Sequence, residues 1–200
     1  MKIMLDCSPK KIHEYRKRYG VDLWQLRTPL TQYSRAGVPY GLDNGCFKRF
    51  KEKTWLKMLD EAREHKPKFV CMPDIVCDAV RTFDLFDAFE KQTEGLPRAL
   101  VLQDGIGDHR IDWNKLDAVF VGGSDNFKIS QEAFNTCRTA KMLGKWVHVG
   151  RVNTAPRVKN WLGLADSIDG SGISKYDHML ENVLEAIHEQ SMQTEIELVS

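Results

Sequence analysis

The chain has little that would tie it to a disulfide framework, a metal site or a membrane. Its five cysteines, Cys7, Cys46, Cys71, Cys77 and Cys137, are odd in number and scattered. No two form a C-x-x-C pair, which argues against both a structural zinc site and a disulfide scaffold and for reduced thiols packed as small core residues. No apolar run approaches the 18 residues or so that a spanning helix needs. The opening Met1-Lys2-Ile3-Met4-Leu5-Asp6 is too soon interrupted by charge to read as a secretory signal, so a cytoplasmic location is expected. There is no internal repeat, low-complexity segment or linker. Charge of one sign is also missing: the net charge is +1, which excludes a uniformly basic nucleic-acid binder. Basic clusters are local, at Lys10-Lys11 with Arg16-Lys17-Arg18, at Lys48 to Lys53, and at Arg151, Arg157 and Lys159. Each also suits a solvated helix face.

What is present is alternation. Of the 200 residues, 42% are hydrophobic, enough for one domain with a sizeable core. A strand is expected at 2–6, then a helix with Ser8 as cap and Pro9 in its first turn, stopped by Gly20. A weak strand at 21–27 and a polar loop precede a strand at 39–43. Thr54 is expected to cap a helix over 55–65. Lys68-Phe69-Val70-Cys71-Met72 is a continuous apolar run, as in a strand buried on both faces. Helices are expected at 78–92, 129–142, 156–162 and 176–189, and strands at 99–102, 118–121, 146–149 and 165–169. The domain is expected to span 1–190, with a frayed tail over 191–200.

Strands alternating with helices indicate a parallel sheet of the α/β class. Eight strands fit a small single-domain (β/α)8 TIM-like barrel; a doubly wound open sheet is the alternative. The strand ends favour closure. Asp43-Asn44-Gly45, Asp74, Gln103-Asp104-Gly105, Gly122-Gly123, Gly150-Arg151 and Asp169-Gly170 all follow strands, and a closed barrel gathers those ends on one rim, where barrel enzymes place their chemistry.

The carboxylates at three of these ends, Asp43, Asp74 and Asp169, allow three accounts. Each can cap the next turn or helix. Together they can hold a divalent cation. Or one attacks an anomeric carbon while another handles the leaving group's proton. Asp169, at a strand end before a glycine-rich turn, has the layout of a reaction centre, but spacing does not choose between the last two accounts.

From Gly41 to Ser174 the chain resembles the tRNA-guanine transglycosylase superfamily, and most of all its DNA-acting branch in phages and bacteria. Leu42-Asp43-Asn44-Gly45-Cys46-Phe47 is similar to the family's D-S-G-G-[FY]; Leu100-Val101-Leu102-Gln103-Asp104-Gly105 to V-Q-G-G; and Val121-Gly122-Gly123 to I-G-G. Val147-His148-Val149-Gly150 is similar to M-G-V-G, and Ala165-Asp166-Ser167-Ile168-Asp169 to V-D-x-F-D. The resemblance implies Asp169 as nucleophile, Asp43 as general acid/base, and Phe47 stacked on the base. Asp74 would read the purine's N1–H and amine, and Gln103 and the Gly123 amide would donate to its O6. Gly122, His148 and Gly150 complete the implied pocket, and Arg151 and Lys175 are candidates for phosphate. His148 replaces a frequent glycine and suits a satisfied core residue as well as a ligand contact, and Ser171, Ser174 and Lys175 stand where the family has Pro-x-Arg. The zinc site of cysteines and histidine found in the tRNA enzymes has no counterpart here, so DNA is expected as the polynucleotide and tRNA less so.

The expected activity is exchange of guanine for a 7-deazaguanine such as 7-cyano-7-deazaguanine. It needs no metal or organic cofactor, and in a phage-encoded protein it would act in the host cytoplasm. No membrane partner is expected; a second copy or another subunit could help so small a barrel grip its substrate. Two rivals predict other outcomes. A non-catalytic base-binding module binds without exchange, and a metal-dependent hydrolase stops with chelators.

Overall fold

Most strands are apolar on both faces, and the alternating direction of their side chains sorts these into an axial set and an outer set. In the computed structural model, which describes residues 1–199, eight parallel strands pair in sequence order and the last closes on the first. They are β1 (Lys2–Leu5), β2 (Trp24–Arg27), β3 (Tyr40–Leu42), β4 (Val70–Cys71), β5 (Arg98–Leu102), β6 (Ala118–Val121), β7 (Trp146–Val149) and β8 (Ser167–Asp169). Closure is made by Lys2, Ile3 and Met4 in register with Ser167, Ile168 and Asp169. The expected TIM-like barrel is therefore the fold, and the open sheet is not.

The axis is filled by Met4, Leu26, Phe69, Cys71, Ala99, Val101 and Ala118, with Phe120, Trp24 and Trp146 packed on them. The alternate residues, such as Leu100, Leu102, Val119, Val121, Val147 and Val149, face the outer helices. The helices are α1 (Pro9–Tyr19), α2 (Glu52–Glu64), α3 (Ala79–Ala88), α4 (Gln131–Met142), α5 (Ala155–Lys159), α6 (Ser171–Lys175) and α7 (Asp177–Val199). The chain stays short because β2 to β3 carries no helix and β5 to β6 only single 3-10 turns.

Several boundaries differ from expectation. Ser8 caps α1, accepting from the Lys11 N–H, and Gly20 ends it at φ 65°. Thr54 caps nothing: α2 starts at Glu52, and the Lys51 carbonyl takes the Trp55 N–H. Phe50, just before that cap, lies against Trp55 with ring centroids 5.8 Å apart. This hydrophobic staple sets where the helix begins in place of a side-chain cap. The helix expected over 78–92 stops at Ala88, capped at its start by Asp78. The glycine-rich turn after Asp169 is itself helical, as α6. Helix α7 continues past 189 to Val199, so the segment expected to fray is helical as far as the description goes, and Ser200 lies outside the described residues. Among the described residues no helix is long and apolar enough to cross a membrane.

Candidate active site

The carboxyl ends of the strands surround a cavity of about 300 Å³, at the small end of ligand pockets. Asp43, Phe47, Asp74, Gln103, Gly122, Gly123, Arg151, Asp169 and Lys175 all line it. Strand parity explains how. Asp169 is two residues past the axial Ser167, Gln103 two past Val101, and Asp43 two past Gly41, so each continues the axial set at the rim.

Asp43 and Asp169 face this one cavity from β3 and β8. Burial, then the charges of Asp169 and Asp74, push the Asp43 carboxyl up to about 7. Its Oδ1 accepts the Asn44 N–H at 2.8 Å. Asp169 is held differently. Its Oδ1 lies 3.0 Å from His148 Nε2, and its backbone carbonyl accepts the Val152 N–H at 2.6 Å.

Asp74 is buried and gripped by two amides. Asn44 Nδ2 donates to Oδ1 at 2.7 Å and Gln103 Nε2 to Oδ2 at 2.6 Å. Burial outweighs these bonds and raises the Asp74 pKa. Gln103 and Gly123 do not stand free as donors for a purine O6. The Gly123 N–H is given to Gln103 Oε1 at 2.9 Å, as is the Cys77 N–H at 2.8 Å, while the Gln103 amine goes to Asp74. Buried polar groups find partners, and these three have found one another; one amide hydrogen of Gln103 is left for a ligand. Gly122 makes this possible, because a Cβ there would lie 2.7 Å from Gln103 Nε2 and 2.8 Å from a Val101 methyl.

His148 and Gly150, expected as pocket residues, do not line the cavity. His148 is fully buried on the axis, its ring 4.9 Å from Phe69 and 4.7 Å from Phe120 between centroids. Its place at an inward position of β7 puts it behind Asp169. Gly150 makes room for Phe120, whose ring would meet a Cβ at 2.6 Å, and its carbonyl accepts from Lys128 Nζ. Arg151 is also more occupied than a free phosphate contact. It donates to the Gly123 carbonyl, and its guanidinium lies 4.3 Å from the centroid of the exposed Phe47 ring. Both residues line the cavity, and one face of Phe47 carries the cation. Lys175, on α6, reaches the rim with an exposed side chain.

Four participants were not anticipated. Asp6 lines the cavity from the end of β1, accepts from Thr31 Oγ1 at 2.6 Å, and has its pKa raised first by burial. It lies two past the axial Met4, so strand parity would have found it. Asn44 was read only as a turn residue, yet it braces Asp74 and accepts the Cys46 N–H at 2.7 Å. Ser167 stands behind His148, 2.8 Å from its Nδ1. Lys128, in the loop after β6, is buried behind the rim and pushed down to about 7 by burial; no periodicity signals it. Among the described residues no three His, Cys, Asp or Glu side chains converge closely enough to hold a metal ion.

No protein-family model matches the chain, and no curated protein does. Among solved structures it is similar to CdNal from Clostridium difficile, in a crystal structure in complex with mannosamine. The TM-score is 0.50 at 11% identity, over 98% of this chain and 82% of that one. At that identity the likeness concerns the barrel and not its chemistry.

Proposed function

We propose that the chain is a base-exchange transglycosylase that replaces guanine in DNA with a 7-deazaguanine. The observation that supports this reading is two carboxyl groups on one cavity in unequal surroundings, one held by a ring nitrogen and one buried until it titrates near neutrality. Such a division suits a carboxylate that attacks beside a carboxyl that handles a proton.

The target nucleotide is extruded, because its glycosidic carbon is out of reach within a stacked duplex. Asp169 attacks C1′ and the bond from C1′ to the base nitrogen breaks. Protonated Asp43 gives its proton to the departing guanine, leaving a sugar–Asp169 ester and the Asp43 carboxylate. A 7-deazaguanine then enters, gives its ring N–H proton to Asp43, and its nitrogen displaces Asp169 from C1′. Both partners are restored. A carboxyl titrating near 7 is present in both required forms at neutral pH. Asp74, gripped by Asn44 and Gln103, accepts from the purine's N1–H and amine.

The test is covalent trapping. Wild-type protein and Asp169→Asn are each mixed with a DNA oligonucleotide or a tRNA and 7-cyano-7-deazaguanine, and resolved on denaturing gels. The proposal expects an adduct with DNA for wild type alone. Base exchange by Asp169→Asn at the wild-type rate sinks it, and adducts on tRNA alone reassign the polynucleotide.

A further inference from the structure

We infer that Trp146, Ser167 and His148 form a buried hydrogen-bond relay that fixes the His148 tautomer and presents an N–H to Asp169, making these three positioning residues for that carboxylate. The inference rests on the proposed role of Asp169 for its functional meaning, but its geometry stands without it.

The four side chains occupy successive inward positions of two neighbouring strands, Trp146 and His148 on β7 and Ser167 and Asp169 on β8. His148 and Ser167 are in register. Trp146 Nε1 lies 2.8 Å from Ser167 Oγ, Ser167 Oγ lies 2.8 Å from His148 Nδ1, and His148 Nε2 lies 3.0 Å from Asp169 Oδ1. Both His148 and Ser167 are fully buried.

Directions follow from what each group can give. An indole nitrogen only donates, so Trp146 fills one lone pair of Ser167 Oγ. The serine has one proton, and His148 Nδ1 is the remaining partner in reach. If Nδ1 carried a hydrogen, it too would point at Oγ, and the serine proton would be buried with no acceptor, at a cost of about 1–3 kcal/mol. The satisfied arrangement therefore has Ser167 donating to a bare Nδ1 and Nε2–H donating to Asp169. Phe69 and Phe120, whose ring centroids are 6.3 Å apart, both pack against the imidazole, and the ring is fully buried.

The chemistry has a consequence for Asp169. Oδ1 is held as an acceptor, which leaves Oδ2 to form the bond to C1′. Oδ1 then becomes the ester carbonyl and still accepts the same N–H. The relay moves no proton and needs no rearrangement through the reaction, the condition under which preorganised donors are most effective.

The experiment reads the relay first without substrate. Imidazole ¹⁵N spectra of the full chain, with the His148 signals assigned by their loss in His148→Gln, are expected to show a hydrogen on Nε2 and none on Nδ1. A hydrogen on Nδ1 overturns the inference. A ¹³C titration of the Asp169 carboxyl, assigned with Asp169→Asn, is then compared between wild type and Ser167→Ala. Loss of a firm donor moves a carboxyl titration to higher pH. The other groups that face Asp169, namely Asp6 from β1, Asp43 from β3, Cys71 from β4 and Lys128 from the loop after β6, are the same in both proteins. An upward shift supports the relay; coincident titrations overturn it. With DNA, Ser167→Ala is expected to slow adduct formation roughly 10–100-fold with KM unchanged, the usual loss when a partner orienting a reacting group is removed. His148→Gln, which keeps an N–H near Asp169, is expected to recover part of the rate that His148→Ala loses. Failure of Asp169→Asn to abolish exchange would sink the proposed function alone, since spectra and titration are read without it.

Discussion

At the end of the barrel where the strands begin, a groove of about 800 Å³ is lined by Lys66, Lys68, Arg98, Asp117, Lys145 and Asp166, among others. At the end where they finish, the cavity of Asp43 and Asp169 is about 300 Å³. Most charges of the larger hollow are answered. Asp166 takes Lys141 Nζ at 2.6 Å and the Val147 N–H at 2.8 Å, Asp117 takes the Arg98 N–H at 3.0 Å, and Lys145 gives to the Leu116 carbonyl at 2.7 Å. Trp146 closes the floor, stacked on Trp24 with centroids 5.7 Å apart and with Lys68 Nζ 4.2 Å from its own ring centroid. The smaller hollow instead gathers Asp6, Asp43, Asp74 and Asp169, with the first three all raised by burial. Groups displaced in this way are commoner at functional sites than elsewhere on a protein. The groove is the larger hollow, but the acids that burial makes costly to ionise gather in the smaller one.

The contrast can be broken most directly at Asp43. Asp43→Asn is expected to lower the exchange rate about 10²–10⁴-fold, the range for a general acid/base. The same substitution has a stability signature. With its pKa raised from 3.8 to about 7 in the folded state, the folded chain keeps a proton that the unfolded chain has released. That contribution is full below about pH 4 and is lost as pH rises through about 7. Wild type should therefore lose on the order of 2 kcal/mol across that window relative to Asp43→Asn, less than the full shift because Asp43, though deep in the rim, lines an open cavity and is only intermediate in exposure. Thermal unfolding between pH 4 and 8 measures it, and parallel curves would refute the assignment.

Next in size is Gly122→Ala. The added methyl meets Gln103 and Val101 inside 3 Å, and such overpacking costs about 1–3 kcal/mol. Denaturant titration should show that loss, with weaker 7-deazaguanine binding as Gln103 releases Asp74. Phe47→Ala removes a ring that is 58% exposed, so Tm should hold. Binding of the polynucleotide by calorimetry should weaken by roughly 1–3 kcal/mol, the worth of one base stack. The smallest effect belongs to the opposite rim. Asp166→Asn breaks a half-exposed ion pair worth about 0–1 kcal/mol, and exchange should stay within about twofold of wild type. A large loss there would mean the groove also serves the reaction.

The barrel was legible because each strand carries its own signal. Ala99 to Leu102, Ala118 to Val121 and Trp146 to Val149 are apolar on both faces, and polar or glycine residues follow each. Asp43, Asp74, Gln103 and Asp169 were visible for the same reason. Asn44, Ser167 and Lys128 were not, because nothing near them in the chain says what they face. Asn44 is defined by Asp74, 30 residues on, and Ser167 by a histidine on the neighbouring strand. His148 was read as a pocket residue because the resemblance aligns it with a pocket segment of the family; strand parity turns it inward and behind Asp169. The resemblance misled there, since its motif has glycine at that place and a histidine side chain has to pack somewhere.

Composition and local periodicity by themselves determined the order of strands and helices, the two-faced burial that makes the sheet parallel, and the crowding of polar residues at strand ends, because each depends only on neighbours a few positions apart. Only tertiary closure decided which carboxyls share a cavity and which serine and tryptophan stand behind the histidine. Those relations depend on the register of β1 with β8 and of β7 with β8, which is set by how the axial side chains pack together across the whole barrel.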